Sequence, residues 1–102
     1  MSMDIYYTFS SETFVWDKQK AEANIRKHGI AFEDAVMVFQ DENVLIGYDA
    51  DHSCFEDRYL ATGIIKGHII SLVVFTDREE ITRIISARKA TREEKQKYEQ
   101  RK

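Results

Sequence analysis

The residues best suited to chemistry lie between Asp49 and Arg58, a stretch that contains a histidine, several carboxylates and an arginine. His52 and Glu56 are the side chains that could transfer a proton, and Arg58 could hold a phosphate. Glu56 and Arg58 are two residues apart, so they project to one face if the next strand already includes Glu56. The alternative interpretation is a polar surface loop, since loops lie in contact with water.

A metal site on Asp49, Asp51 and His52 is a weaker alternative, because their spacing matches no recognised ligand motif. Cys54 is the only cysteine, which excludes an internal disulfide and a cysteine-based zinc cluster and is typical of a reducing cytosol. We therefore expect no metal ion and no cofactor.

A second group of cations consists of Arg83, Arg88 and Lys89, around an apolar strand-like segment. Arginine binds phosphate through two parallel hydrogen bonds and stabilises charge on a phosphoryl transition state. The separation of Arg83 and Arg88 is odd, so a regular strand would place them on opposite faces. A bulge, or the end of the strand near Ala87, would bring them together. The alternative is an arginine at a strand edge that pairs with a carboxylate such as Glu56.

A third group, Asn24, Lys27 and His28, lies at the end of a predicted helix. Asn24 and His28 are four residues apart and face alike. A structural role is the preferred interpretation, because a histidine just before Gly29 is typical of a helix C-terminus, where it interacts with the macrodipole or with exposed carbonyl groups.

The predicted helices are marked by their caps and by their apolar periodicity. The first helix begins after Asp17 as N-cap and ends at Gly29 in a left-handed conformation. A second, short helix covers Phe32 to Phe39. The capping-box pattern from Thr91 to Glu94 opens a last helix that runs to the C-terminus.

Four segments are typical of strands: residues 44–48, 58–65, 68–76 and 81–86. Their short connections at 66–67 and 77–80 predict hairpins and antiparallel pairing. Ile5 to Phe9 also has strand-like composition, so we expect residues 1–13 to form an extension or an edge strand. The predicted fold is α+β, with two N-terminal helices, a four-stranded antiparallel sheet and a C-terminal helix in one domain at residues 14–102.

Composition limits the class of protein. The 102 residues suffice for one domain, and 43% hydrophobic with 32% charged residues is the balance of a soluble globular protein. The net charge of −3 is unevenly distributed, because residues 78–102 carry nine Lys/Arg against five Glu. That basic quarter is either a phosphate-binding patch or a solvated helix of mixed charge. No secretory signal and no membrane span are expected, which indicates the cytoplasm.

Three ordered blocks of the sequence resemble the BrnT family of ribonuclease toxins, and together they cover Phe14 to about Glu99. The first comprises 14–17, Lys20, Asn24, 27–30 and 32–35; the second His52, Ser53, Glu56 and Arg58; the third 83–90, Glu94 and Tyr98.

The resemblance implies a RelE-like fold and an endoribonuclease that inhibits translation by cutting RNA without a metal ion. It also implies a BrnA-like antitoxin of ribbon-helix-helix type. In such systems the toxin–antitoxin complex represses its own operon, the antitoxin makes the contacts with operator DNA, and the location is the bacterial cytoplasm. A homodimer or a heteromeric complex with the antitoxin is also implied.

RNA cleavage through attack of the 2′-hydroxyl needs a proton acceptor, a proton donor and cations around the phosphate. The resemblance assigns proton transfer to Glu56 or His52, and phosphate binding to three arginines. RNA contact is assigned to three further residues. The implied catalytic set is His52, Glu56, Arg58, Arg83 and Arg88, and the implied RNA-binding set is Lys89, Arg78 and Tyr59.

The main alternative is a catalytically inactive, RelE-like binding partner of a DNA-binding antitoxin that acts in operon autoregulation. The net negative charge favours this alternative, because nonspecific attraction to RNA phosphates is then weak.

Overall fold

A computed structural model describes residues 3–101 and contains three α-helices and six strands. Residues 1, 2 and 102, which fall in the predicted segments 1–13 and 14–102, lie outside the described part. The elements in chain order are β1 (Asp4–Phe9), β2 (Glu12–Asp17), α1 (Lys18–His28), α2 (Phe32–Ala35), β3 (Leu45–Tyr48), β4 (Tyr59–Ile65), β5 (Ile69–Arg78), β6 (Ile81–Lys89) and α3 (Arg92–Arg101). Two 3₁₀ turns cover Val36–Gln40 and Ala50–His52.

All six strands form one sheet in the order β1-β2-β6-β5-β4-β3. The α+β class is confirmed, but the predicted four-stranded antiparallel sheet is wrong. β2 pairs parallel with β6, while every other neighbouring pair among the described strands is antiparallel. β2 was not among the predicted strands. Its Phe14, Val15 and Trp16 are consecutive apolar residues without the alternation of a half-buried strand, and all three are buried.

The predicted opening with two N-terminal helices is also wrong, because a β-hairpin precedes α1. Its turn consists of Ser10 and Ser11, both with positive φ (52° and 68°), a conformation that joins strands tightly but is more typical of Asn and Gly. β1 is an edge strand of the sheet, and β2 begins at Glu12, before the predicted domain start at residue 14. The second helix is a single α-helical turn continued by the 3₁₀ turn Val36–Gln40.

The predicted helix caps are confirmed. The Asp17 carboxylate accepts the Lys20 N–H at 3.0 Å, and Gly29 ends α1 with φ of 71°. The Thr91 hydroxyl accepts the Glu94 N–H at 3.2 Å, while the Glu94 carboxylate accepts the Thr91 N–H at 2.8 Å. This reciprocal pair is the capping box that the sequence predicts. Within residues 3–101, no helix has the length and apolar character needed to cross a membrane.

The sheet has two faces of different character. On the first, here the core face, α1, α2 and the 3₁₀ turn Val36–Gln40 cover a continuous apolar cluster. Its sheet residues are Phe14, Trp16, Ala61, Ile65, Val73, Phe75, Ile84 and Ala87. The second, here the cleft face, carries the alternate residues of the same strands. Residues paired across neighbouring strands point to the same face. One such row on the cleft face runs across four strands and consists of Tyr6, Val15, Arg83 and Thr76.

A β-bulge decides where the two arginines of β6 lie. Val74 pairs with Ser86 whereas Phe75 pairs with Ile84, so Ile85 is an extra residue in β6. Arg83 lies opposite Thr76 and Arg88 opposite Leu72, and these two partners are four residues apart on β5. Both arginines therefore belong to the cleft face, although their odd separation would place them on opposite faces of a regular strand.

The buried Asn24 side chain fixes α1 against β6. Its amide nitrogen donates to the carbonyl oxygens of Ile30 (2.8 Å) and Ala87 (2.9 Å), and its oxygen accepts the Ala87 N–H (3.1 Å). The pairing between β2 and β6 ends at Arg83, so Asn24 satisfies backbone groups of β6 that lack a strand partner. This explains Asn24 as a structural residue.

Candidate active site

Two adjoining clefts on the cleft face contain most of the residues predicted to do chemistry. The first, here the His52 cleft, is lined by Asp49, His52, Arg58, Leu60, Leu72, Val74, Ile85, Ser86, Arg88 and Glu94. The second, here the Arg83 cleft, is lined by Tyr6, Val15, Glu56, Thr76, Arg78, Glu79, Ile81 and Arg83. They are neighbours because alternate residues of β5 line them in turn, with Leu72 and Val74 in the first and Thr76 in the second.

The loop between β3 and β4 is closed on itself at its base. The Asp49 N–H donates to the Arg58 carbonyl oxygen at 2.8 Å. The Ser53 hydroxyl donates to the Asp49 carbonyl oxygen at 2.6 Å and accepts the Arg58 N–H at 2.9 Å. These contacts hold both ends of the loop, and with them His52 and Arg58, at the rim of the same cleft.

The His52 ring is anchored at one nitrogen. Its Nδ1 lies 3.0 Å and 3.1 Å from the two carboxylate oxygens of Asp49. The Asp49 side chain is 14% exposed whereas that of His52 is 68% exposed. The imidazole therefore has a fixed inner edge and a solvent-facing outer edge.

The two arginines of this cleft differ in their partners. Among the described residues, the Arg58 side chain has no hydrogen-bond or ion-pair partner. Arg88 donates to both oxygens of Glu94, at 2.8 and 2.9 Å. This bidentate pair raises the pKa of Arg88 and lowers that of Glu94, each mainly through the hydrogen bonds between the two groups. The cleft thus offers one unpaired guanidinium and one held rigidly by the first turn of α3.

The cations of the Arg83 cleft are also paired. Arg83 donates to both oxygens of Asp4, at 2.8 and 3.2 Å. The hydrogen bonds with Arg83 hold the pKa of Asp4 below its usual value. Arg78 lies 3.6 Å from Glu56, and its side chain is 80% exposed. Glu56, the example of a carboxylate partner in the alternative interpretation, pairs with Arg78, and β1 supplies the carboxylate for Arg83.

The structure separates residues that the sequence analysis grouped. β4 begins at Tyr59, so Glu56 and Arg58 belong to the preceding loop and line different clefts. Tyr59 packs on the core face between Tyr48 and Phe75, each at a ring distance of 5.7 Å. Lys89 is exposed next to Arg88 on β6, and the alternation of a strand directs it away from the cleft face.

Four residues that the sequence analysis gave no catalytic role contact the predicted set: Asp4, Asp49, Ser53 and Glu94. Glu94 was predicted as a capping residue, and its spacing from Arg88 gave no sign of an ion pair. Asp4 is separated from Arg83 by 79 positions, so no local pattern could have connected them. Among residues 3–101, no group of three or more His, Cys, Asp or Glu side chains is placed to hold a metal ion.

Comparison with known proteins places the chain in a family. Residues 16–94 match the family model described as the ribonuclease toxin BrnT of type II toxin–antitoxin systems. A solved structure, the ribonuclease toxin BrnT of Brucella abortus, is 30% identical with a TM-score of 0.58, and the match covers 76% of this chain and 94% of that chain. Comparison with curated proteins gives no significant match. The chain belongs to the BrnT family of type II toxin–antitoxin ribonuclease toxins, as the resemblance of its sequence indicated.

Proposed function

We propose that this protein is a metal-independent endoribonuclease that cleaves RNA through attack of the 2′-hydroxyl and thereby inhibits translation. The observation that carries the proposal is the His52 cleft, which contains an imidazole, an unpaired arginine and a rigid arginine on one open face. A general acid–base group and cations around one phosphate are the requirements of this reaction.

In the proposed reaction, His52 takes the proton of the 2′-hydroxyl group while the 2′-oxygen attacks the adjacent phosphorus. The bond from phosphorus to the 5′-oxygen breaks, and that oxygen takes a proton from water. Arg58 and Arg88 stabilise the charge on the pentacoordinate phosphate. The expected products are a 2′,3′-cyclic phosphate and a free 5′-hydroxyl.

The Arg83 cleft is proposed to hold the neighbouring part of the RNA chain. Arg78 and Arg83 supply cations there, and the ion pair of Arg78 with Glu56 is exposed, so a phosphate can readily displace it. We prefer His52 to Glu56 for proton transfer because His52 shares a cleft with Arg58 and Arg88. Tyr59 and Lys89 are not included in the RNA-binding surface, because they do not lie on the cleft face.

The proposal includes a BrnA-like ribbon-helix-helix antitoxin that neutralises the ribonuclease and contacts operator DNA, and a cytoplasmic location. Support comes from the family, whose description names a toxin–antitoxin system. The ion pairs of Arg83 and Arg88 favour the alternative, a binding partner without activity, because paired guanidinium groups are less available to phosphate.

The test is cleavage of a ribo-oligonucleotide by purified protein, with and without EDTA. We expect wild type to cleave in both conditions, and Arg58→Ala to be slower by about 100-fold, a typical loss for one charge-stabilising group. Arg26→Ala is the matched control, because Arg26 is an exposed arginine of α1 outside both clefts. Failure of soluble wild type to cleave RNA would support the inactive binding partner, and activity lost only in EDTA would contradict metal independence.

A further inference from the structure

Asp49 contacts the candidate site through both its backbone and its side chain. The backbone N–H and carbonyl group close the loop with Arg58 and Ser53, whereas the carboxylate contacts only the His52 ring among the described residues. The two roles are therefore separable, because a substitution at Asp49 changes the carboxylate and leaves both backbone contacts available.

The contact with Asp49 bears on which ring nitrogen of His52 carries the proton. An ionised carboxylate has only acceptor oxygens, so the Nδ1 atom that lies 3.0 and 3.1 Å from them must be the donor. The neutral ring then has a lone pair on Nε2. Within the described chain Nε2 has no hydrogen-bond partner, and the ring lines the cleft that also contains Arg58 and Arg88.

We propose that Asp49 is a positioning residue that holds His52 in the Nδ1–H tautomer, so that Nε2 can accept the proton of the 2′-hydroxyl. The catalytic part of this inference rests on the proposed ribonuclease function. Isolated imidazole side chains favour the opposite, Nε2–H tautomer, which cannot accept a proton at Nε2. The carboxylate therefore selects the tautomer that the reaction needs, and the loop contacts fix the ring beside the two arginines.

The first measurement is the tautomer of His52 in the whole protein, from ¹⁵N chemical shifts of the ring nitrogens at a pH of about 8.5, where imidazole is neutral. His52→Gln identifies its signals among those of the three histidines. We expect the Nδ1–H form in wild type and mainly the Nε2–H form in Asp49→Ala. Asp51→Asn is the matched control, because Asp51 is an exposed carboxylate in the 3₁₀ turn Ala50–His52, next to His52.

The second measurement is the cleavage rate of the same ribo-oligonucleotide. Asp49→Ala is expected to be at least about 10-fold slower than wild type, and Asp51→Asn unchanged within about twofold. Asp49→Asn tests the same role with a smaller change in shape. Its expected loss of cleavage rate is similar, because the amide NH₂ can donate to Nδ1 and so stabilise the Nε2–H tautomer.

Three results would each overturn the inference. The first is an Nε2–H tautomer in wild type, the second is an unchanged Nδ1–H tautomer in Asp49→Ala, and the third is an altered tautomer in Asp49→Ala with no loss of cleavage rate. The tautomer is measured without RNA, so it decides the role of Asp49 even if wild type cleaves nothing. In that event the proposed function fails separately from the positioning role.

Discussion

At the scale of single residues, the arginines of the two clefts differ in whether they pair with a carboxylate. Arg83 pairs with Asp4 and Arg88 with Glu94, each through two hydrogen bonds, whereas Arg58 has no such partner among residues 3–101. A paired guanidinium is positioned well, but a phosphate has to share it or displace the carboxylate. Arg58 is consequently the cation that a first incoming phosphate can contact without breaking an ion pair.

Glu94 joins two functions, since it caps α3 and holds Arg88. The interaction lowers its pKa below the usual 4.5, so the stabilisation is complete at neutral pH and is lost as the pH falls through the lowered pKa. Glu94→Gln is expected to reduce the free energy of unfolding by about 1–2 kcal/mol at pH 7. The difference in the free energy of unfolding between wild type and Glu94→Gln, measured by denaturant unfolding, should shrink steadily below a pH of about 4.5.

Glu93→Gln is the control for this prediction, because Glu93 is an exposed neighbour in the first turn of the same helix. A difference between wild type and Glu94→Gln that stays constant from pH 7 to pH 3 would contradict the role given to the ion pair.

At the scale of elements, the position of the site depends on how β6 is paired. Its first part is held between β2 and β5, whereas the part near Ala87 has β5 on one side and the Asn24 amide on the other. The bulge at Ile85 lies between these two parts and brings Arg88 to the same face as Arg83. Asn24 therefore supports the segment that carries Arg88, although it lies on the opposite side of the sheet from the clefts.

Asn24→Ala is expected to lower the free energy of unfolding by about 3 kcal/mol, because it leaves buried backbone groups of Ala87 and Ile30 without partners. For a domain of this size the thermal midpoint should fall by roughly 10–15 °C. Lys27→Ala, on an exposed position of α1, is the control and should change the midpoint little. A loss of less than about 1 kcal/mol in Asn24→Ala would show that another group or water replaces the amide.

At the scale of the whole molecule, charge is segregated along the chain. Residues 28–57 contain eight Asp/Glu and no Lys or Arg, whereas the arginines of the clefts come from positions 58–88. Under the proposed function, the attraction to RNA comes from a few cations in the clefts, because the net charge of −3 repels phosphate. The salt dependence of RNA binding measures how many of these cations contact phosphates.

Asp4→Asn is expected to increase RNA affinity and to steepen its salt dependence, because it releases Arg83 for a phosphate. One additional contact with single-stranded RNA changes the slope of log Kobs against log salt by about −0.7. The measurement uses fluorescence anisotropy with His52→Gln as background, so that the RNA stays intact. An unchanged slope would contradict a role for Arg83 in RNA binding, and Asp57→Asn controls for the loss of one negative charge.

Local interactions explain what the sequence alone determined. Helix caps at Asp17, Gly29 and Thr91 depend on neighbours within a few residues, so the ends of α1 and the start of α3 could be predicted. The hairpin at Lys66 and Gly67 is equally local. The family could be identified from ordered motifs, because these depend on residue types and spacing and not on geometry.

Only the tertiary structure decided the six-stranded mixed sheet and the composition of the clefts. The parallel pairing of β2 with β6 joins Val15 to Arg83, and the contact of Arg83 with Asp4 spans 79 positions of the chain. The bulge at Ile85 changes the face of Arg88 without any glycine or proline to mark it. Such features depend on free energy from contacts between distant segments, which no periodicity within one segment records.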